Sequence, residues 1–409
     1  MNLFKQRNFQ VMWVGQLATI FGNRFSEIAI PLIVLQLTGS PWHAALVVVC
    51  SQVAPLVLSL PVSNWIENKK KRNVALFAEA VSFMTMSALV VLVFLDMLTI
   101  WTLAGSLLVL GAAGLFFRIS FGVMVPGVVG RQNLMKAHNS FEGADAVSTL
   151  IGPFLAGAVL TFYGIGAVLS VDAFTYLVSF LGILLLSYKE PVKKKQTNKS
   201  ERKTNGTSIK NITYLFKNEY QRFISFNHGK LNFTTTAVTL TVIIYTSQTL
   251  GLSEWQTGLV LSAAGAGNLV GVFLLQRVSF VQWRYLFGIL MGVSGAGIVF
   301  LLSTETLPFL MLGMFLFDGA LSMAFVVNGS ARQAVTPDHY LARIGGGGIL
   351  IAGLVAIMGN LFAGGISEWI GPQIALGLCA LLLFVGSIRS LRFRKGNVSV
   401  RELKPMDFV

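Results

Sequence analysis

The sequence predicts an all-α polytopic membrane protein with twelve transmembrane helices, arranged as two similar halves of six. Three observations predict this fold: an apolar composition, uncharged runs of membrane-spanning length, and basic residues that are confined to alternate loops. Of the 409 residues, 54% are apolar and only 12% are charged, whereas soluble chains are about a quarter charged. Runs of about 20 apolar residues suit helices that cross a bilayer and are too long for barrel strands.

The predicted spans follow one another closely, with turn residues in the short breaks. Thr38-Gly39-Ser40-Pro41, Tyr163-Gly164-Ile165-Gly166 and Gly371-Pro372 are typical of chain reversals between helices. The twelve predicted helices cover residues 9–36, 42–65, 74–96, 100–124, 140–163, 167–187, 224–247, 255–276, 285–303, 307–329, 345–367 and 371–388.

The basic residues predict that both termini lie in the cytoplasm. With that orientation, 28 of the 31 lysines and arginines fall in cytoplasmic loops and ends, and the external loops hold none. The other three, Arg24, Arg118 and Lys230, lie within predicted spans. Such asymmetry follows the positive-inside rule. The net charge of +14 is therefore explained by topology, and no nucleic-acid partner is expected.

A polar, basic segment divides the chain. Residues 188–223 predict a flexible cytoplasmic linker that ends in a short amphipathic helix over 209–223. The linker separates an N-terminal half, 1–187, from a C-terminal half, 224–388, and a cytoplasmic tail follows over 389–409. The segment Gly152–Gly157 is echoed at Gly359–Gly364, an offset of 207 residues. Two similar six-helix halves are the plan of secondary transporters that rock around a midplane site.

Four stretches carry a family resemblance. They are Arg7-Asn8-Phe9 with Trp13-Val14-Gly15-Gln16-Leu17 and residues 22–41, the loop 63–73, Gly152-Pro153, and residues 335–343 with the glycines that follow. In these stretches the chain resembles the major facilitator superfamily, most closely its macrolide-efflux and enterobactin-exporter-like branch. The resemblance covers nearly the whole chain and implies the major facilitator fold, a bacterial cell membrane and a functional monomer.

The resemblance also implies a set of residues that control conformation. In the loop between helices 2 and 3, Ser63 and Glu67 stand where the superfamily has glycine and aspartate, ahead of a basic cluster. A glutamate carboxylate at a helix end is still able to pair with a neighbouring cation, so we expect the acid–base pairing of this loop to form here as well. The conformational residues are Ser63, Glu67, Lys71, Arg72, Gly152, Pro153 and Gly157 in the first half, and Arg343 and Gly359 in the second.

Helix 1 carries a polar stripe. Thr19, Asn23 and Glu27 recur at i, i+4 and i+8, and Arg24 lies three residues before Glu27. An ionisable side chain inside a membrane costs about 2.5–3.5 kcal/mol on insertion scales, so each one requires a reason. The stripe predicts either a cavity carboxylate that couples protons to transport, or an Arg24–Glu27 pair that snorkels to the outer interface.

Helices 5, 7 and 10 supply the other candidates. Glu142 and Asp145 lie one turn apart in helix 5 and predict either a proton site or a structural ion-pair network. In helix 7, His228 is suited to relaying a proton, while Lys230 either requires an acidic or carbonyl partner or snorkels toward the linker. Asp318 in helix 10 is a further intramembrane acid. Three more intramembrane charges receive no role: Glu79, Arg118 and Asp172.

These observations predict a secondary active transporter and not an enzyme. The chain has no phosphate-binding loop, metalloprotease motif or nucleophile elbow, and we expect no cofactor and no metal. The expected partners are a small-molecule substrate, protons and the lipid bilayer. The leading hypothesis is export of hydrophobic or amphipathic compounds, drug-like or macrolide-like, by proton antiport. The alternatives are a dedicated exporter of an endogenous metabolite such as a siderophore, or an uptake symporter.

Overall fold

The computed structural model describes residues 3–187, 219–278, 280–303, 305–336, 338–393 and 399, except for the side chains at 60, 131, 276 and 338–347. This part of the chain forms twelve long helices, which confirms the predicted all-α fold. They are α1 (Arg7–Thr38), α2 (Pro41–Glu67), α3 (Lys71–Phe94), α4 (Ile100–Val129), α5 (134–163), α6 (165–185), α7 (Glu219–Ile244), α8 (Glu254–Val278), α9 (Trp283–Leu302), α10 (Leu307–Val335), α11 (Asp338–Trp369) and α12 (Pro372–Leu391).

The predicted turn sequences end helices as expected. Gly39 adopts a left-handed conformation (φ 65°), and its N–H bonds the carbonyl of Leu35 at 2.8 Å. Ser40 then caps α2 by accepting from the N–H of His43. Gly164 (φ 77°, ψ −176°) breaks the continuous stretch Leu134–Leu185 into α5 and α6, because a residue with a Cβ atom rarely adopts that conformation.

Ten helical stretches of the described chain are long and apolar enough to cross a membrane, judged by length and composition. One of them is Leu134–Leu185, which holds both α5 and α6. The helix α7 is not among the ten, because asparagines, threonines, His228 and Lys230 lower its mean hydropathy.

Several helices are longer than the apolar runs that predicted them. The helix α7 begins at Glu219, ahead of the predicted 224, so residues 219–223, predicted as the end of the linker's amphipathic helix, are continuous with α7. The rest of the predicted linker, residues 188–218, lies outside the described chain. The reason is tertiary contact: Gln221 is buried and donates to Thr336 Oγ1 at 2.6 Å. Likewise α11 begins at Asp338, ahead of the predicted 345, and α12 continues to Leu391, past the start of the predicted tail.

Contacts divide the chain into two compact units that differ from the sequence halves in one segment. The first unit is Met1–Lys194 with Thr246–Ser262, and the second is Lys195–Tyr245 with Ala263–Val409. In the first unit α1 packs on the α5–α6 stretch, and α2 and α3 pack on α4. In the second unit α7 packs on α11 and α12, and α9 packs on α10 and α12. The segment 246–262 belongs by its contacts to the first unit.

The internal repeat is visible in how two helix pairs approach each other. A Cβ atom at Gly152 of α5 would lie 3.2 Å from the Cβ atom of Arg24 in α1. A Cβ atom at Gly359 of α11 would lie 2.8 Å from the carbonyl oxygen of Phe233 in α7. Glycine at both positions lets each pair of helices pack closely, and the two glycines are 207 residues apart, as the repeat predicts.

Candidate functional site

One ion-pair network joins α1 to α5 in the first unit. The guanidinium of Arg24 donates from Nε to Asp145 Oδ1 at 3.1 Å and from Nη2 to Asp145 Oδ2 at 3.0 Å. Its Nη1 donates to Glu27 Oε2 at 3.0 Å. A planar guanidinium bound at two points by one carboxylate is a strong and oriented arrangement. Arg24 therefore holds both acids at once.

The side chains of this network are partly exposed. The side chains of Arg24, Asp145 and Glu27 are 34%, 38% and 62% exposed. Pro153, directly after Gly152 in α5, is buried and has no N–H to donate. Both carboxylates depend on Arg24 for charge-assisted hydrogen bonds, which are stronger than bonds between neutral groups.

The other predicted polar residues of α1 and α5 lie differently. Thr19 is buried and donates to the carbonyl of Gly15 at 3.2 Å, whereas Asn23 is exposed. Of the three residues of the predicted stripe, only Asn23 and Glu27 are therefore exposed. Glu142 is exposed and forms no hydrogen bond or ion pair with the described residues. The cation that the structure gives to Asp145 is Arg24 of α1.

A second group of acids was noticed in the sequence but given no role. Glu79 of α3 is 2% exposed and Asp172 of α6 is 1% exposed. Ser26 donates to Asp172 Oδ2, Thr175 lies 3.4 Å from Asp172 Oδ1, and Tyr176 lies beside both carboxyl groups. Neither carboxyl group has a cation beside it among the described residues. The sequence places both acids in apolar predicted helices, which marks them as candidates for burial. It does not show that two residues 93 positions apart in the chain lie side by side.

The buried acids are not fully hydrogen-bonded. Ser179 lies beside the Glu79 carboxyl group, yet Glu79 Oε2 and Ser179 Oγ are both buried and have no hydrogen-bond partner among the described residues. Gly22 of α1 faces this group: a Cβ atom there would lie 2.8 Å from Asp172 Oδ1. Glu79 Oε2 is thus a buried carboxyl oxygen without a donor among the described residues, and leaving such an oxygen as part of a carboxylate inside a membrane is costly.

Two cations of the basic loop between α2 and α3 bind main-chain carbonyls of different helices or loops. Lys71 donates from Nζ to the carbonyls of Glu67 and Lys69 at 3.0 and 2.8 Å. Arg72 donates to the carbonyls of Ile183 and Leu184 at 3.2 and 2.6 Å, at the end of α6. Both cations thus satisfy helix-terminal carbonyls.

The other two predicted residues of this loop are less engaged. The Glu67 carboxylate is exposed and has no partner among the described residues. Ser63 donates to the carbonyl of Ser59 in its own helix at 2.6 Å. The expected acid–base pairing therefore does not form through Glu67 in this conformation.

Known proteins share both the sequence pattern and the architecture. The model of the Major Facilitator Superfamily matches residues 12–347. The chain belongs to the Major Facilitator Superfamily. Its members are transporters and not enzymes, so the chain is a multi-pass secondary transporter.

Relatives of this superfamily transporter are distant. It is 22% identical to YfiS of Bacillus subtilis (strain 168), an uncharacterized MFS-type transporter, over 97% of this chain and 96% of that protein. Among solved structures it resembles a bacterial homologue of the iron transporter ferroportin in an inward-facing state, with a TM-score of 0.70, 16% identity and 96% and 98% coverage. It also resembles the nucleoside transporter NupG, with a TM-score of 0.68, 15% identity and 97% and 100% coverage. These structural similarities establish the fold alone.

In the transporter's first unit, α5 contacts the start of α8 without intervening side chains. A Cβ atom at Gly157 would lie 3.0 Å from the Cα atom of Trp255, and one at Gly258 would collide with the carbonyl of Pro153. Glu254 accepts hydrogen bonds from Gln36 at 2.6 Å and from Thr161 at 3.0 Å. The predicted role of Gly157 in close helix packing thus has a specific contact.

Among the described residues of the second unit, basic side chains lie without acidic partners. His228 packs its ring against Phe325 and lies beside Arg332 of α10, and its Nδ1 has no hydrogen-bond partner in the described part of the chain. Lys230 Nζ lies 3.4 Å from Asn227 Oδ1, so its partner is an amide oxygen.

The remaining predicted residues of the second unit lie on α10 and α11. Asp318 accepts from Asn268 Nδ2 at 2.7 Å. Arg343 lies in α11, with its side chain outside the described part of the chain.

Proposed function

We propose that this superfamily transporter exports hydrophobic or amphipathic compounds, such as drugs or macrolides, in exchange for protons. The observation that carries the proposal is the Arg24–Glu27–Asp145 network, a set of accessible titratable groups on two membrane helices. The resemblance to the macrolide-efflux branch supports export, and the superfamily supports alternating access.

In this mechanism a carboxyl group is either ionised and paired with a cation, or protonated and unpaired. When Glu27 is ionised it binds Arg24; when it takes a proton its contact with Arg24 weakens, and Arg24 remains on Asp145. A site that changes its partners with protonation shifts the balance between two access states. We further propose that the bacterial cell membrane holds the protein with both termini in the cytoplasm, as the basic loops predict.

Comparison of bacteria with and without the transporter tests direction and substrate range. Expression is expected to raise growth-inhibitory concentrations for several hydrophobic compounds and to lower their accumulation, and a protonophore should remove both effects. Resistance to a single compound would favour a dedicated exporter. Higher accumulation on expression would show uptake and overturn the proposal.

A second candidate is export of one acidic endogenous metabolite, such as a siderophore. It is favoured by His228 and Arg332, which lie side by side with no acidic partner among the described residues. A cation without an acidic partner in the last turn of a membrane helix suits an anionic ligand. Replacing Arg332 by Gln should then abolish export of acidic compounds and leave export of neutral compounds unchanged.

The α2–α3 loop gives a prediction about turnover. Glu67→Gln is expected to lower the transport rate two- to five-fold, because one exposed charge pair in the other access state is worth up to about 1 kcal/mol. Substrate affinity should stay the same, since Glu67 lies at the end of α2 and has no ion-pair partner among the residues that the structure describes. Rates and binding constants measured in proteoliposomes check this. An equal loss of binding would show that Glu67 belongs to the substrate site.

A further inference from the structure

An apolar groove lies on the first unit, away from the ion-pair network. It has a volume of about 830 Å³ and is lined by α2, α3 and α4. Trp65 and Phe77 stand at its rim, 49% and 70% exposed, and Ala112 of α4 is part of its lining. Its polar lining residues, Lys69, Lys70 and Asn73, all lie at the end where α2 passes into α3.

The length of the groove matches half of a membrane. From the α2–α3 loop its lining extends to Leu58 on α2 and to Val81 on α3. Ten helical residues rise about 15 Å, which is half of a hydrocarbon core about 30 Å thick. The groove therefore has the depth of one leaflet, with cations at the end that the charge pattern assigns to the cytoplasmic surface.

Only part of the basic cluster is engaged in helix capping. Lys71 and Arg72 bind main-chain carbonyls. Lys69 places its Nζ 5.1 Å from the centre of the Trp65 ring, and neither Lys69 nor Lys70 has an acidic partner among the described residues. Two cations thus remain beside an apolar groove.

We propose that this groove binds one anionic phospholipid, with its phosphate against Lys69 and Lys70 and an acyl chain along α2 and α3. Basic pockets between membrane helices on the cytoplasmic side suit anionic lipid headgroups, at about 1 kcal/mol for each lysine. A zwitterionic lipid brings its own cation next to the lysines, so the site discriminates by headgroup charge. A soluble anion would leave the apolar walls uncovered.

Fluorescence quenching of Trp65 tests the proposal on the full-length transporter in lipid nanodiscs. The chain has 7 tryptophans, so the Trp65 signal is taken as the difference between the protein and its W65F variant. With phosphatidylglycerol brominated on its acyl chains and diluted into phosphatidylcholine, quenching of Trp65 should saturate at a low mole fraction. Brominated phosphatidylcholine diluted into unlabelled phosphatidylglycerol should quench far less.

Variants of the groove separate the contribution of the lipid headgroup from that of its acyl chain. The double variant K69Q/K70Q should weaken phosphatidylglycerol binding by roughly 25-fold, about five-fold for each lysine. The matched control K136Q, an exposed lysine on the same predicted side, should bind as the unmodified protein does. A112F should reduce quenching by filling the groove without a change of charge. Equal quenching by the two brominated lipids, or quenching unchanged in K69Q/K70Q, would overturn the proposal and indicate ordinary annular lipid.

Discussion

Replacing Glu27 by Gln is expected to abolish proton-driven efflux and to leave exchange of substrate between the two sides of the membrane largely intact. The amide keeps the size of the side chain but is not protonated, so only the proton-linked step is lost. The loss of the charge-assisted hydrogen bond alone, about 1.5–3 kcal/mol, sets the lower limit of the expected rate loss at about ten- to hundred-fold. Efflux driven by an imposed pH gradient, and counterflow without one, measure the two activities in proteoliposomes.

The structure indicates that this variant should fold. The two hydrogen bonds from Arg24 to Asp145 use other guanidinium nitrogens than the bond to Glu27, and Glu27 is itself 62% exposed. The matched control is Glu305→Gln, the same change at an exposed position between α9 and α10, which should transport normally.

The opposite result would also be informative. If Glu27→Gln pumps normally along a proton gradient, Glu27 is only the interfacial partner of Arg24. Coupling would then be sought in Asp145→Asn, which removes the two-point contact with Arg24, and in Glu142→Gln and Asp318→Asn.

Several helix ends were predictable from the sequence because turn-forming residues stand at the breaks between helices. Gly39 with Ser40, Gly164 and Gly371 with Pro372 end or begin helices where the turn residues predict. The boundaries were less predictable. The helix α7 begins at Glu219 because Gln221 binds Thr336, a contact between residues 115 apart in the chain.

Pairing of charges was predictable only at short range. Arg24 and Glu27 are three residues apart on one helix, so their contact follows from helical geometry. Asp145 is 121 residues from Arg24, so their contact depends on the packing of α1 on α5. The sequence likewise identifies Glu79 and Asp172 as intramembrane acids, but only the packing of α3 on α6 shows that they share one buried site.

That buried pair leads to the second large effect: Glu79→Gln is expected to slow proton-driven efflux by about tenfold or more, at an unchanged unfolding temperature. We propose that Glu79 and Asp172 both carry protons in this conformation and that one proton is released during transport. The titratable groups that face them are each other and Tyr176, and the non-titratable ones are Ser26, Thr175 and Ser179. Glutamine is isosteric with a protonated glutamate, so the packing of α3 should survive.

A hydrophobic carbodiimide tests the protonation state directly, because it modifies protonated carboxyl groups in apolar surroundings. Peptide mapping should find the label on Glu79 or Asp172 at neutral pH, and labelling should fall as the pH rises. Glu67, which is exposed at the end of α2, is the internal control and should remain unlabelled. Glu79→Gln should remove its own label and the coupling together. Absence of label at both buried acids, or normal proton-driven efflux by both Glu79→Gln and Asp172→Asn, would show that the pair is structural, because a carboxyl group that exchanges protons during transport cannot be replaced by an amide without loss of that step.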